Sequence, residues 1–266
     1  MATEKKFVAS EEAKGKAKQL RAFAILAWII AIAGEIFAIL KLISDEMLTW
    51  LIVAIVVILA LAVTGNLLWK KANRMDPASE KQKFKFFVQN QLGAIMSVLA
   101  FLPLVILIFT NKDADKKTKG IAGAVAVVAL LVAGITGVDF DPPSVEKYTE
   151  RINNQSEIVQ ELTDGRDHVY WAPTGKVLHI YEDCPHLKNS KNIGSGTVKD
   201  AWEARGIDDN RVCRTCAPRA AKERGLDYER IEQKINGDET GQDITTKEIE
   251  DLNADIENTA EEIDEE

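Results

Sequence analysis

Four long apolar runs constrain this chain more than any other feature of its sequence. They occupy residues 22–43, 48–68, 92–109 and 121–138. As a helix, at 1.5 Å per residue, each is about long enough to cross roughly 30 Å of hydrocarbon. The competing reading is buried helices of a water-soluble core. Four such runs, with Lys, Asn and Asp kept to most of their ends, count against it. Gly34, Gly65, Gly93, Gly120, Gly123, Gly134 and Gly137 suit close helix packing in lipid. Trp50 and Trp69 lie near run ends, where an aromatic belt belongs, and Trp28 lies mid-run.

The charges are segregated in the same way. Residues 1–138 carry 17 Lys and Arg against 10 Asp and Glu, whereas residues 139–266 carry 16 against 31. Two physical environments are implied, one embedded and one soluble and acidic. Residues 1–21 form a polar, lysine-rich tail, and the run that follows is too long for the core of a secretory signal. An uncleaved cytoplasmic tail is expected, followed by a four-helix transmembrane domain over residues 22–138.

Lysine and arginine near span ends set the orientation. The tail holds Lys5, Lys6, Lys14, Lys16, Lys18 and Arg21. The segment between runs two and three holds Lys70, Lys71, Arg74, Lys81, Lys83 and Lys85, and the first hairpin, SDEM, holds none. This places the N-terminus inside, and an even number of spans returns the C-terminal domain to the cytoplasm. One count runs the other way: the last hairpin, NKDADKKTKG, carries four lysines and would lie outside. Glu35 sits near the middle of the first run. A carboxylate there is costly unless protonated or paired, so it is either a proton or cation site or a neutral carboxyl making one interhelical hydrogen bond.

Residues 139–167 read as a linker. After DFDPPS, residues 145–163 place Val145, Tyr148, Ile152, Val159 and Leu162 at mostly helical spacing, an amphipathic stalk ended by Asp164-Gly165.

Residues 168–217 contain all three cysteines of the chain. Three is too few, and odd, for a disulfide framework. His179-x4-Cys184 and Cys213-x2-Cys216 supply four soft or borderline ligands without a carboxylate, which points to a closed, structural Zn2+ site. His168–Trp171 and Lys176–Tyr181 alternate around A-P-T-G and predict a β-hairpin with Gly175 in the turn. Thr197 and Asp200 predict a capped short helix closed by Gly206, with Trp202 packed on the hairpin. His186 is the competing ligand, expected exposed, and His168 is expected at the surface. A Cys213-x2-Cys216 redox pair would want a βαβ context that this sequence lacks. About fifty residues bury little core, so a metal staple makes energetic sense.

Residues 218–266 form the last part. Residues 218–236 predict a helix. The acidic end, TTKEIEDLNADIENTAEEIDEE, is either a further helix with Ile249, Leu252, Ile256 and Ile263 on one face or a disordered tail.

The residues Thr174-Gly175, His179, Cys184, Leu187, Ser190, Ser195-Gly196-Thr197, Cys213 and Cys216 together resemble a short module at the C-terminus of many bacterial proteins. That module is similar to the metal-binding domain of the Ada DNA-repair protein, and the resemblance implies its zinc fold. Ada-type sites use four cysteines, one of which accepts a methyl group. Histidine at one ligand position here leaves only the zinc fold to carry over. The spans and DPPSVEKY resemble membrane proteins of Gram-positive bacteria.

The expected class is therefore mainly α: a four-helix transmembrane bundle, a small α+β zinc-stapled domain with a hairpin and short helix, and a helical acidic tail. The expected function is non-enzymatic, a multi-pass cell-membrane protein presenting the zinc module to a protein partner. A small transporter regulated by the module is the alternative. Zinc-dependent nucleic-acid binding is disfavoured, because residues 168–217 carry seven basic against six acidic residues.

Overall fold

In the computed structural model residues 6–112, 114–205 and 210–240 are described. Gly206 and the acidic end, residues 245–266, lie outside the described residues. The chain forms two compact units, Ala9–Glu146 and a second made of Met1–Val8 with Lys147–Glu266.

The first unit consists of helices α1 (Glu11–Lys41), α2 (Leu48–Met75), α3 (Lys83–Thr110) and α4 (Lys116–Gly137). All four are long and apolar enough to cross a membrane. The runs 48–68 and 92–109 lie within α2 and α3, whereas the runs 22–43 and 121–138 pass the C-terminal ends of α1 and α4 by two residues and one. Ser10 starts α1, its Oγ accepting from the Ala13 N–H at 3.2 Å, and Asp115 starts α4, accepting from the Thr118 N–H at 2.5 Å. Size is sorted inversely to a soluble protein. Small residues such as Ala31, Ala38, Ala62, Ala126 and Ala133 are fully buried, while Phe37, Leu40, Val56, Val128 and Ile135 face outward. Small residues let backbones approach, and long apolar side chains suit a lipid exterior.

The glycines divide by contact. A Cβ on Gly137 would lie 2.6 Å from the Gly93 carbonyl carbon and the Ala94 nitrogen, so α3 and α4 touch backbone to backbone there. Gly65 makes room for the Trp28 indole and Gly123 for the Phe109 ring. Gly120 and Gly134, expected to serve the same purpose, meet nothing within 4 Å.

One buried amide ties all four helices together. Asn66 on α2 accepts from Trp28 Nε1 of α1 at 3.2 Å. Its Nδ2 donates to Ser97 Oγ of α3 at 3.0 Å and to the Ala133 carbonyl of α4 at 3.0 Å. Trp28 is thus an interior residue rather than part of a belt. At the same end of the bundle Arg21 pairs with Asp76 at 2.9 Å, Arg74 pairs with the buried Asp139 at 3.0 Å, and Lys70 donates to the Val138 carbonyl at 2.6 Å.

The second unit is built around α5 (Val145–Leu162). Of the five apolar positions picked out by spacing, Tyr148, Ile152, Val159 and Leu162 are buried and Val145 is half-buried. Asp164 and Gly165 both adopt positive φ and end the helix, as the sequence predicts. Phe7 packs edge-on against Tyr148 at 5.1 Å, and its N–H donates to Thr149 Oγ1 at 3.0 Å, so the N-terminal segment belongs to the same core.

Four short strands follow: β1 (Val169–Trp171), β2 (Val177–Leu178), β3 (Gly194–Gly196) and β4 (Arg211–Val212). The expected hairpin is reduced to a single antiparallel bridge, Tyr170 with His179, around a turn in which the Gly175 N–H donates to the Ala172 carbonyl at 3.1 Å. The ladders form with other partners. β1 runs antiparallel to β3, and β2 runs parallel to β4. β3 takes the opposite edge of β1, because Tyr170 turns both its N–H and its C=O to His179, and Gly194 lies under Trp171, where a Cβ would sit 2.4 Å from the indole.

Helix α6 (Val198–Arg205) starts with the predicted reciprocal cap. The Asp200 N–H donates to Thr197 Oγ1 at 3.1 Å, and the Thr197 N–H donates to Asp200 Oδ2 at 2.9 Å. The helix expected over residues 218–236 is two, α7 (Cys216–Arg224) and α8 (Tyr228–Thr240). Gly225 at φ 67° separates them, and the Leu226 N–H reaches back to the Ala221 carbonyl at 2.9 Å.

Candidate metal centre

His179 leaves the end of β2, and Cys184 lies in the turn after it, its N–H donating to the Tyr181 carbonyl at 3.3 Å. Cys213 leaves the end of β4. Cys216 opens α7, where the Ala217 N–H reaches the Cys213 carbonyl at 2.9 Å. The two halves meet through the parallel β2–β4 pairing: Arg211 donates to the Lys176 carbonyl at 3.0 Å and Cys213 to the Leu178 carbonyl at 2.9 Å. Two residues of ladder therefore bring ligands 34 positions apart to one point.

The four side chains form one buried cluster in which the ligand atoms all lie within 4.8 Å of one another. His179 Nδ1 is 3.2 Å from Cys184 Sγ and 3.9 Å from Cys216 Sγ, and Cys184 and Cys213 sulfurs are 3.9 Å apart. A tetrahedral ion with metal–sulfur bonds of about 2.3 Å and a metal–nitrogen bond of about 2.0 Å has edges of roughly 3.5–3.8 Å. The observed separations match that figure, so the residues fit such an ion.

Each sulfur also receives backbone N–H groups. Thr215 and Cys216 donate to Cys213, with the Thr215 nitrogen at 3.4 Å; His186 donates to Cys184, and Tyr181 to Cys216. These bonds favour thiolates. The Cys213 thiol is pulled down to about 3, chiefly by the Cys216 side chain donating to it. The Cys216 thiol is pushed up by the same partnership and by burial. A divalent cation held by these four side chains would take the place of the proton that the thiols otherwise share.

His186 is exposed and turned to Thr215, with Nε2 2.9 Å from its Oγ1, outside the ligand cluster. His168 is exposed and stacks edge-on against Tyr170. Outside the sulfurs, Arg219 lies 3.9 Å over the Tyr181 ring and bonds Asp183 at 3.0 and 3.1 Å, which links α7 to the loop carrying Cys184.

Sequence reasoning missed Gln155 and Arg205. Gln155, fully buried on α5, accepts from Trp202 Nε1 at 2.9 Å and donates to the Asn210 carbonyl at 2.5 Å, just before β4. Trp202 packs on α5, with Tyr148 at 5.1 Å and a hydrogen bond to Gln155. Arg205, also buried, donates to the Gly175 carbonyl at 2.6 Å and braces the turn before β2. Burial draws its guanidinium down to about 10. Neither residue carries a local signal, since Gln155 reads as one more polar position of an amphipathic helix and Arg205 as one more surface charge.

No family model matches the chain, and neither do the curated proteins or the solved structures.

Proposed function

We propose that this is a non-enzymatic integral membrane protein whose structural zinc module presents a surface to a protein partner. The observation that carries the reading is the closed, buried set of His179, Cys184, Cys213 and Cys216. Four protein ligands complete a tetrahedron and leave no position for a substrate or activated water, which is the signature of a structural site. Three thiolates and an imidazole favour zinc over the hard oxygen-seeking cations. The Ada-like resemblance of residues 168–217 agrees with a zinc fold and, through His179, disagrees with methyl transfer.

Four helices with small residues inside and large apolar residues outside support membrane insertion. Phe7 and the metal cluster share one unit, which supports both termini lying on one side of the membrane, as an even number of spans requires. The lysine-rich tail and second loop make that side the cytoplasm. A nearly neutral module surface favours protein over nucleic acid as the partner.

Metal analysis of the full chain purified in detergent tests the central claim. The expected result is one zinc per chain, retained through gel filtration; a stoichiometry near zero after expression with ample zinc rejects it. For the partner, a photo-crosslinker at exposed Lys188 should trap a discrete protein, and the adduct should vanish in Cys213→Ser.

A further inference from the structure

Helix α3 begins at Lys83, nine residues before the apolar run 92–109. Those residues add about 13 Å of helix at 1.5 Å per residue. The extension keeps the outward face of the span. Phe84 and Phe87, and two turns later Ile95, Val98, Leu102 and Ile106, share one face of the helix and are all exposed, with half-buried Gln91 between the two groups and Phe84 at 83% and Phe87 at 59% exposure. The stripe that faces lipid along the span therefore runs on, as two aromatic rings, beyond its end.

Three exposed lysines, Lys81, Lys83 and Lys85, flank these rings. Three other cations at this end of the bundle are engaged internally, Arg21 by Asp76, Arg74 by Asp139, and Lys70 by the Val138 carbonyl, while Lys18 and Lys71 are exposed there as well. Of the nearby carboxylates, Glu146 is held by Ser79 Oγ at 2.6 Å and the Glu80 N–H at 2.8 Å, leaving exposed Glu80 beside the three lysines. Depth agrees as well. Trp69 Nε1 donates to the Gln89 carbonyl at 2.7 Å, a contact typical of the interface level, and Lys83 lies six residues, about 9 Å, farther out. The headgroup layer is about 5–8 Å thick on each side.

We propose that residues 81–87 form a docking site for anionic phospholipid headgroups, with Phe87 seated near the boundary between headgroup and acyl chain, Phe84 within the headgroup layer, and Lys81, Lys83 and Lys85 bound to lipid phosphates. The proposal rests on the reading that the four helices cross a membrane. Continuity with the lipid-facing stripe selects a lipid occupant over a protein, and the excess of positive charge selects an anionic one. Each lysine near an anionic surface contributes a severalfold gain in affinity.

The test uses the full chain in neutral detergent. Native mass spectrometry and thermal unfolding are compared with added phosphatidylglycerol and phosphatidylcholine at equal mole fraction. Phosphatidylglycerol should be retained at least tenfold better and raise the melting temperature by several degrees more. A K81Q/K83Q/K85Q variant should lose that preference while keeping its helical circular dichroism and its melting temperature in phosphatidylcholine. F84S/F87S should weaken retention of both lipids. Equal effects of the two lipids on the unaltered chain, or an undiminished preference in the triple variant, overturn the proposal. Millimolar inorganic phosphate reproducing the full shift also overturns it, since the site would then bind a free anion. Alkaline carbonate releasing the chain from membranes would instead sink the membrane reading beneath it.

Discussion

Glu35 on α1 accepts a hydrogen bond, 3.2 Å long, from the backbone N–H of Leu104 on α3, the residue immediately after Pro103. Proline has no N–H, and its ring crowds the carbonyl four residues earlier, so a helix is weakest where Pro103 stands. The carboxyl of Glu35, 3% exposed, supplies an acceptor at that break. This gives a structural duty to the charge-capable residue that a transporter reading would use.

The duty predicts a specific mutational pattern. Glu35→Gln keeps an acceptor and should melt close to the unaltered protein in detergent. Glu35→Leu leaves the Leu104 N–H without its partner, at about 1–3 kcal/mol, or roughly 3–8 °C. Combined with Pro103→Ala, which mends the helix, Glu35→Leu should cost much less. A Glu35→Gln variant that folds normally yet abolishes ion flux in proteoliposomes would favour transport instead.

The proposed zinc site predicts a sharp contrast among its neighbours. Cys213→Ser should reduce zinc from about one per chain to near zero and flatten the near-ultraviolet circular dichroism of Trp171 and Trp202, because structural zinc supplies folding energy directly. His186→Ala should leave both signals intact. Equal zinc loss in the two variants would mean that the ligand set is wrong.

Two glycines three residues apart on α4 should behave in opposite ways. Gly137→Ala drives a methyl into the backbone of α3 and should lower the melting temperature, since neither helix can yield without separating. Gly134→Ala meets nothing within 4 Å and should be neutral or stabilise by about 0.5–1 kcal/mol. Detergent melting curves of the pair decide it.

The Thr197–Asp200 cap gives a fourth measurement. Thr197→Ala should destabilise the metal unit by about 1 kcal/mol, read as faster zinc loss to a chelator. Asp200→Ala should cost a similar amount. The double variant should cost less than the sum, because the two residues satisfy each other's backbone N–H groups.

Much of this protein was legible without coordinates because the relevant signals are local. An apolar run of about twenty residues, a Thr-x-x-Asp before a short amphipathic stretch and a Cys-x2-Cys knuckle each declare their structure through neighbours within a few positions. Hence the four helices, the α6 cap and the ligand set His179, Cys184, Cys213 and Cys216 could all be read directly. Tertiary structure alone decided which distant edges pair. β1 gives one edge to the single His179 bridge and the other to β3, where Gly194 leaves room for Trp171. β2 then pairs in parallel with β4 and closes the ligand cluster. Likewise, nothing local to Asn66 announces that it will bind three other helices, nor to Gln155 that it will hold Trp202. A buried amide acquires its partners only when the chain has folded around it, whereas a period, a cap or a ligand spacing is written in consecutive residues.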